Sequence, residues 1–276
     1  RFPQGTSFYG TGENAGPLLR NGRSVTYWNV DAWRYGDDAP ALYQSHPFVL
    51  AALPDGSAMG ILAPSVRRGG LACAEDGIEF FFEDEPFDLI VFEGRHPAQI
   101  VTSLTRLIGR LPLPPLWALG YHQSRWSYMD ASEVREVARE FRKRRMPCAA
   151  LWLDIDHMHR FRPFTFDAER FPEPEALIRE LHELGFKVVA IVDPGLEIAA
   201  DHDTCQEGLA AGYFVRDAYG RPWRGRSWPG ICHFPDFTRD DVRDWWSDHA
   251  ARFTARGLDG LWIDMNEPSI FRTPSR

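Results

Sequence analysis

The sequence predicts an α/β protein: a β-sandwich followed by a (β/α)8 TIM barrel, of which only about four strands fall within the chain. Three observations predict it. Up to about residue 110 the apolar residues come in short aromatic or β-branched runs, separated by Gly, Pro and Asp turns. From Trp117 onward, continuous apolar runs alternate with amphipathic stretches of helical period. The apolar runs then end in polar residues: His122, Asp154 with Asp156, Asp193 and Asp264.

The first region supplies strands over 24–28, 47–52, 58–62, 77–82 and 88–92. A short helix follows over 100–108, with Ile100, Leu104, Leu107 and Ile108 at helical spacing. Leu111-Pro-Leu-Pro-Pro115 cannot sit in a helix or a central strand, so it reads as the linker between a domain over 1–110 and one over 116–276. An apolar run over 118–122 opens the second domain. Asp130 caps a helix and Glu133 is spaced to reach back, while Val134, Val137, Ala138 and Phe141 form its apolar face. Residues 149–155 read as a buried strand. Pro174 opens a second helix lined by Leu177, Ile178, Leu181 and Leu184, and Gly185 closes it. A strand over 187–192 follows, then an irregular stretch to Phe237. A third helix starts near Thr238 with Val242, Trp245, Trp246 and Phe253 inward, and a fourth strand spans 258–264.

Continuous apolar strands alternating with helices make a parallel sheet buried on both faces. It closes as an open doubly wound sheet or as a barrel. The absence of GxGxxG and GxxxxGKS lowers the nucleotide-binding reading. Polar residues at successive strand ends favour the barrel, whose chemistry gathers on that face.

Composition narrows the function further. Of 276 residues, 44% are hydrophobic and 25% charged, which fits a globular protein rather than a disordered one. No run reaches the ~18 apolar residues of a membrane-spanning helix. A net charge of −8 argues against a nucleic-acid partner. Cys73, Cys148, Cys205 and Cys232 have neither CxxC spacing nor a small disulfide scaffold around them. They read as free thiols of a reducing compartment, which makes a cytoplasmic location the expectation. Ten Trp supply flat, amphipathic rings of the kind that stack on sugars.

The most informative segment is Leu261-Trp-Ile-Asp-Met-Asn-Glu-Pro-Ser269, where Asp264, Asn266 and Glu267 follow a buried strand directly. A capped turn would explain one such acid. Acids at several strand ends with many Trp, and no metal-ligand spacing, fit glycoside hydrolysis, which needs paired carboxyls and aromatic walls.

In these stretches the sequence resembles glycoside hydrolase family 31. The resemblance runs in family order through Tyr9-Gly-Thr-Gly-Glu13, Leu116-Trp-Ala-Leu-Gly-Tyr-His-Gln-Ser-Arg125, Leu153-Asp-Ile-Asp-His157, Phe164-Thr165, residues 189–194, Trp228-Pro-Gly230, Phe234-Pro-Asp236 and Trp262-Ile-Asp-Met-Asn-Glu267. It implies a retaining α-glucosidase that frees terminal non-reducing glucose through a covalent glycosyl-enzyme. Asp264 matches the family nucleophile, and Asp154 the acid that grips the sugar hydroxyls farthest from the scissile bond. Trp228 matches an aromatic of the pocket, and Ile155, Ile191, Trp262 and Met265 its apolar wall. Phe271 is expected at the next sugar subsite. Asp37, beside Asp38 in a sandwich loop, matches an acid that family members send over the barrel mouth. Trp126 matches a leaving-group position where Trp resembles the α-1,6-preferring pattern and Tyr the α-1,4-preferring one. The Asp154-Ile155-Asp156 triplet resembles the glucosidase rather than the α-xylosidase subset. No metal or organic cofactor is implied.

The family's acid/base Asp, with the Arg and His that complete the pocket, comes from later barrel strands than those present. The chain therefore reads as the middle of a longer enzyme, or one cut near residues 272–276. Its implied partners are an α-glucoside oligosaccharide and the rest of its own barrel or a second polypeptide. A non-catalytic sugar-binding or scaffold half-barrel and a transglucosidase are the alternatives. The stretch over 194–237 reads as a substrate-covering loop, and Arg216, Arg221, Arg224 and Arg226 within it have no assigned role.

Overall fold

The computed structural model describes residues 1–30, 32, 34–83 and 86–271, which form two compact units meeting between Pro112 and Leu113. The first unit holds β1 (Ser7–Gly12), β2 (Arg23–Tyr27), β3 (Ser45–Ala52), β4 (Ala58–Leu62), β5 (Gly69–Cys73), β6 (Ile78–Phe82), β7 (Ile90–Gly94) and helix α1 (Pro97–Ile108). Two antiparallel sheets, ordered β1-β3-β4-β7 and β2-β5-β6, share one core of Phe8, Val25, Tyr27, Val49, Ala51, Ile61, Leu71 and Cys73. This is the expected β-sandwich. β1 and β5 are additions to the expected strands. Of the helical stripe predicted for α1, only Ile100 is buried, while Leu107 and Ile108 are exposed.

The second unit holds β8 (His122–Gln123), α2 (Ala131–Lys143), β9 (Ala150–Leu153), α3 (Pro174–Glu183), β10 (Lys187–Val192), β11 (Leu196–Glu197), α4 (Asp203–Ala211), β12 (Gly225–Ser227), β13 (Gly230–His233), α5 (Asp240–Thr254) and β14 (Gly260–Ile263). β8, β9, β10 and β14 make a parallel sheet in which each strand lies beside its predecessor, joined through α2, α3 and α5. A doubly wound sheet would reverse its strand order part-way. Here it does not, so this is part of a barrel.

Helix signals act as read, with small shifts. Asp130 accepts the N–H of Glu133 at 2.9 Å, but Glu133 reaches back to the N–H of Met129 rather than that of Asp130. Gly185 takes a left-handed φ of 79° to end α3, and the Phe186 N–H returns to Leu181 O. Leu184 is exposed, not on the buried face. Trp245 and Trp246 on α5 are only partly buried, and they pack beside α4 and Phe164.

Side-chain alternation gives the sheet two faces. Leu151, Leu153, Val188, Ala190, Val192 and Leu261 face the helices and form the main core with Val134, Ala138, Leu177, Ile178, Leu181 and Phe253. Trp152, Asp154, Val189, Ile191, Asp193, Trp262 and Asp264 occupy the alternate positions and take the other face.

Two readings are corrected. His122 opens β8, level with Ala150 at the start of β9, so it does not belong to the polar strand ends. Its ring is tied down by Trp117 O at 3.1 Å and Trp152 Nε1 at 3.2 Å. The stretch after Pro194, read as irregular, carries regular structure. β11, β13 and β12 form a small antiparallel sheet, and α4 packs on it through Leu196, Cys205 and Phe214.

Candidate active site

The site is built where β9, β10 and β14 end. Register pairs Ala190 with Leu153 and Val192 with Ile263, so the next residues, Asp154, Asp193 and Asp264, come out at neighbouring strand ends. Alternation sends all three to the face opposite the helices. Asp154 caps a short helical turn and its Oδ1 accepts the N–H of Ile155 at 2.7 Å. Asp264 repeats the device, its Oδ1 accepting the N–H of Met265 at 2.9 Å. Met265 takes a left-handed φ of 59°, and its carbonyl receives the Ser269 N–H, which turns the chain sharply after the strand.

A pocket of about 210 Å³ lies over these ends, lined by Trp126, Asp154, Ile155, Ile191, Trp228, Trp262 and Asp264. It is smaller than the roughly 300–1,000 Å³ of drug-sized clefts. Its floor is a small buried cluster of Ile155, Met158 and Ile191, with Phe161, Trp228 and Trp262 packed against it. Trp228 is the hub of its aromatic wall. Trp126 meets it at 5.7 Å, Phe161 at 6.3 Å and Phe271 at 4.8 Å between ring centroids. Trp262 is held from below by Trp152 at 5.7 Å.

Of the residues singled out from sequence, seven therefore line one pocket. Phe271 adjoins it through Trp228 and anchors its N–H on Arg226 O at 2.9 Å. Met265 is half-buried and sets the turn below Asp264. Asp37 is exposed on a loop of the first unit, and residues 272–276 lie outside the described ones. Phe161, packed against the cluster beneath the pocket, and Asp193, buried at the strand end between Asp154 and Asp264, adjoin the site and were not among those singled out for it. Phe161 has no motif of its own and reaches Trp228 only through a left-handed turn with φ of 60°.

Charge is uneven across the three acids. Burial pushes the Asp154 carboxyl up, helped by Asp156 and Asp264. Asp193 is 1% exposed, and burial, then Asp264, then Asp154, push it up to about 7. Asp264 is exposed.

The support beneath the wall is ionic. Arg162, buried, donates to Glu197 at 2.7 Å and to Asp201 at 2.8 Å, and Arg160 donates to Glu197 at 2.5 Å. These pairs clamp the turn bearing Phe161 to β11 of the small sheet. Arg221 pairs with Asp217, and Arg216 donates to Gly220 O, so both brace their own turn. Among the described residues no group of three or more His, Cys, Asp or Glu side chains could hold a metal ion, and no helix is long and apolar enough to cross a membrane. All four cysteines are buried free thiols.

The glycosyl hydrolases family 31 TIM-barrel domain matches residues 111–276. The chain belongs to family 31. The family's N-terminal galactose mutarotase-like domain matches residues 1–68. Among curated family 31 relatives, alpha-glucosidase 2 of Bacillus thermoamyloliquefaciens is 42% identical over 96% of this chain and 34% of its own length. The solved family 31 alpha-glucosidase from Bacteroides thetaiotaomicron superposes with a TM-score of 0.89 at 41% identity, over 99% of this chain and 46% of that one. A variant of the Flavobacterium johnsoniae family 31 dextranase, complexed with isomaltotriose, gives a TM-score of 0.80 at 28% identity, over 97% and 33%. The chain thus spans about a third of the curated relative and under half of the solved α-glucosidase.

Proposed function

We propose that this chain carries the nucleophile half of the active site of a retaining α-glucosidase acting on terminal non-reducing glucose. One observation carries the reading: Asp154 and Asp264 leave the ends of β9 and β14, the strands on either side of β10, into a single pocket walled by Trp126, Trp228 and Trp262. Asp264, exposed and held by one backbone N–H, attacks the anomeric carbon and forms the glycosyl-enzyme as the bond from that carbon to the leaving-group oxygen breaks, the acid/base carboxyl giving that oxygen its proton. Asp154, deeper and fixed against Ile155, accepts hydrogen bonds from the far hydroxyls and sets the ring's orientation. Trp228, Trp262 and the two Ile cover the apolar faces of the ring.

The second carboxyl of the cycle, the acid/base, is supplied from beyond the strands present. β8 and β14 are the edges of the sheet, and Ile263 at the end of β14 is 68% exposed. Bare edges invite pairing, and further strands, from the same polypeptide or a second one, complete the barrel there. Trp126, 66% exposed at the rim, favours α-1,6 over α-1,4 linkages, and the isomaltotriose complex of a related dextranase supports that preference.

Following an aryl α-glucoside by NMR tests the reading. Release of the α-anomer first supports retention; the β-anomer first overturns it. Faster turnover of isomaltose than of maltose supports the linkage preference, and the reverse order removes it.

A further inference from the structure

Asp193 is the acid the mechanism leaves unused, and its surroundings are unlike those of its neighbours. Asp154 and Asp264 each accept a backbone N–H. Asp193 is the most buried of the three, and neither of its carboxyl oxygens has a hydrogen-bond partner among the described residues. It ends β10, the strand between those carrying the other two. An ionised carboxylate without a donor is costly to bury, and like charges at adjoining strand ends oppose one another's ionisation. Of three acids on one strand-end face, the one with no donor and no solvent gives up its charge first. We propose that Asp193 is the proton-holding positioning residue of a three-carboxyl centre: kept neutral, it leaves Asp154 and Asp264 free to work as anions.

The proposal rests on the roles given to Asp154 and Asp264 above. Burial is the main cause that keeps the proton on Asp193, with Asp264 on the β14 side and Asp154 on the β9 side adding to it, and among the described residues no cation opposes them. A carboxyl titrating at about 7 is neutral in slightly acid solution and ionised in slightly alkaline solution. Its ionisation would place a third negative charge behind the pocket. That charge must draw in water or shift the end of β10, which carries Ile191 of the pocket wall. Activity is then lost on the alkaline side through Asp193, not through the two acids that touch sugar.

Infrared difference spectra of the full chain test this without relying on turnover. Wild type minus Asp193→Asn should show the carbonyl stretch of a protonated carboxyl at pH 5, fading with a midpoint near 7. Asp193→Leu, of the same branched shape, provides the same difference should the Asn variant fail to fold. The ratio of kcat/KM for Asp193→Asn over wild type should rise about tenfold from pH 6 to pH 8. No protonated-carboxyl band at pH 5, or the same alkaline limb in both proteins, overturns the proposal. Wild type that neither hydrolyses α-glucosides nor forms a glycosyl-enzyme would instead remove the proposed function, and the infrared titration would still report on Asp193.

Discussion

Asp259, just before β14, is the sharpest place to perturb the fold without touching the pocket. Its carboxylate accepts from His182 Nε2 at 2.6 Å, Lys187 Nζ at 2.7 Å and the Val188 N–H at 2.9 Å. One side chain thus ties α3, β10 and β14 together at the end of the sheet away from the site, where barrel residues serve stability. Asp259→Ala orphans the N–H of fully buried Val188, which costs about 1–3 kcal/mol. The His182 and Lys187 side chains are partly exposed, 35% and 41% accessible, so each adds at most about 1 kcal/mol. The expected loss is about 1–5 kcal/mol. Asp259→Asn keeps an oxygen for Val188 and should lose about half as much. Burial pushes the Asp259 carboxyl up, but its hydrogen bonds from Lys187, Val188 and His182 outweigh that and hold it below the ordinary carboxylate range. Its contribution is therefore present above the unfolded pKa and disappears as pH falls through the folded one. Urea unfolding followed by Trp fluorescence measures this, since all Trp except Trp28 and Trp33 lie in the second unit. The midpoint gap between wild type and Asp259→Ala should be wide at pH 7 and close in strong acid. Equal stability at pH 7, or an Asn variant as weak as the Ala variant, would refute the reasoning.

Three further outcomes are expected. Trp228→Ala removes ring contacts to Trp126, Phe161 and Phe271 and should raise KM for an α-glucoside at least tenfold, about 1.4 kcal/mol, with a smaller rise for Trp228→Phe in the same kinetic assay. Asp154→Asn should lower kcat/KM on the order of 10⁴-fold, while the gap between variant and wild type should narrow for a substrate lacking the 4-hydroxyl. Glu197→Ala leaves buried Arg162 with Asp201 alone and should cost about 3 kcal/mol by thermal or urea unfolding, with a raised KM because the Phe161 turn loosens.

The legible part of the fold was the part where local pattern and tertiary role agree. α2 and α3 announce themselves by cap, apolar stripe and stop, and β9 and β10 by continuous apolar runs. β1 and β5 were hidden by their glycines, which strands usually avoid. A Cβ on Gly12 would come within 2.6 Å of His46 N, and one on Gly69 within 2.3 Å of Phe81 O. Close strand approach, not propensity, chose those residues. Inside α4, Gly208 has the same cause, since a Cβ there would meet the Phe214 ring at 2.5 Å. The pocket was readable because its residues lie in short ordered motifs at strand ends. Phe161 and the Arg162–Glu197 clamp were not, because that pairing spans 35 positions and leaves no local trace. Asp193 was visible as a polar strand end. Only its burial and its empty hydrogen-bonding capacity set it apart.

Trapping with a 2-fluoro or 5-fluoro α-glucosyl fluoride, followed by peptide mass spectrometry of the full chain, tests the central claim most directly. A glycosyl-enzyme requires one carboxylate to bond the anomeric carbon while fluoride leaves. The label should sit on the peptide containing Asp264, and Asp264→Asn should abolish it without unfolding the protein. A folded wild-type enzyme that stays unlabelled, or carries the label on Asp154 or on any other acid, would contradict it.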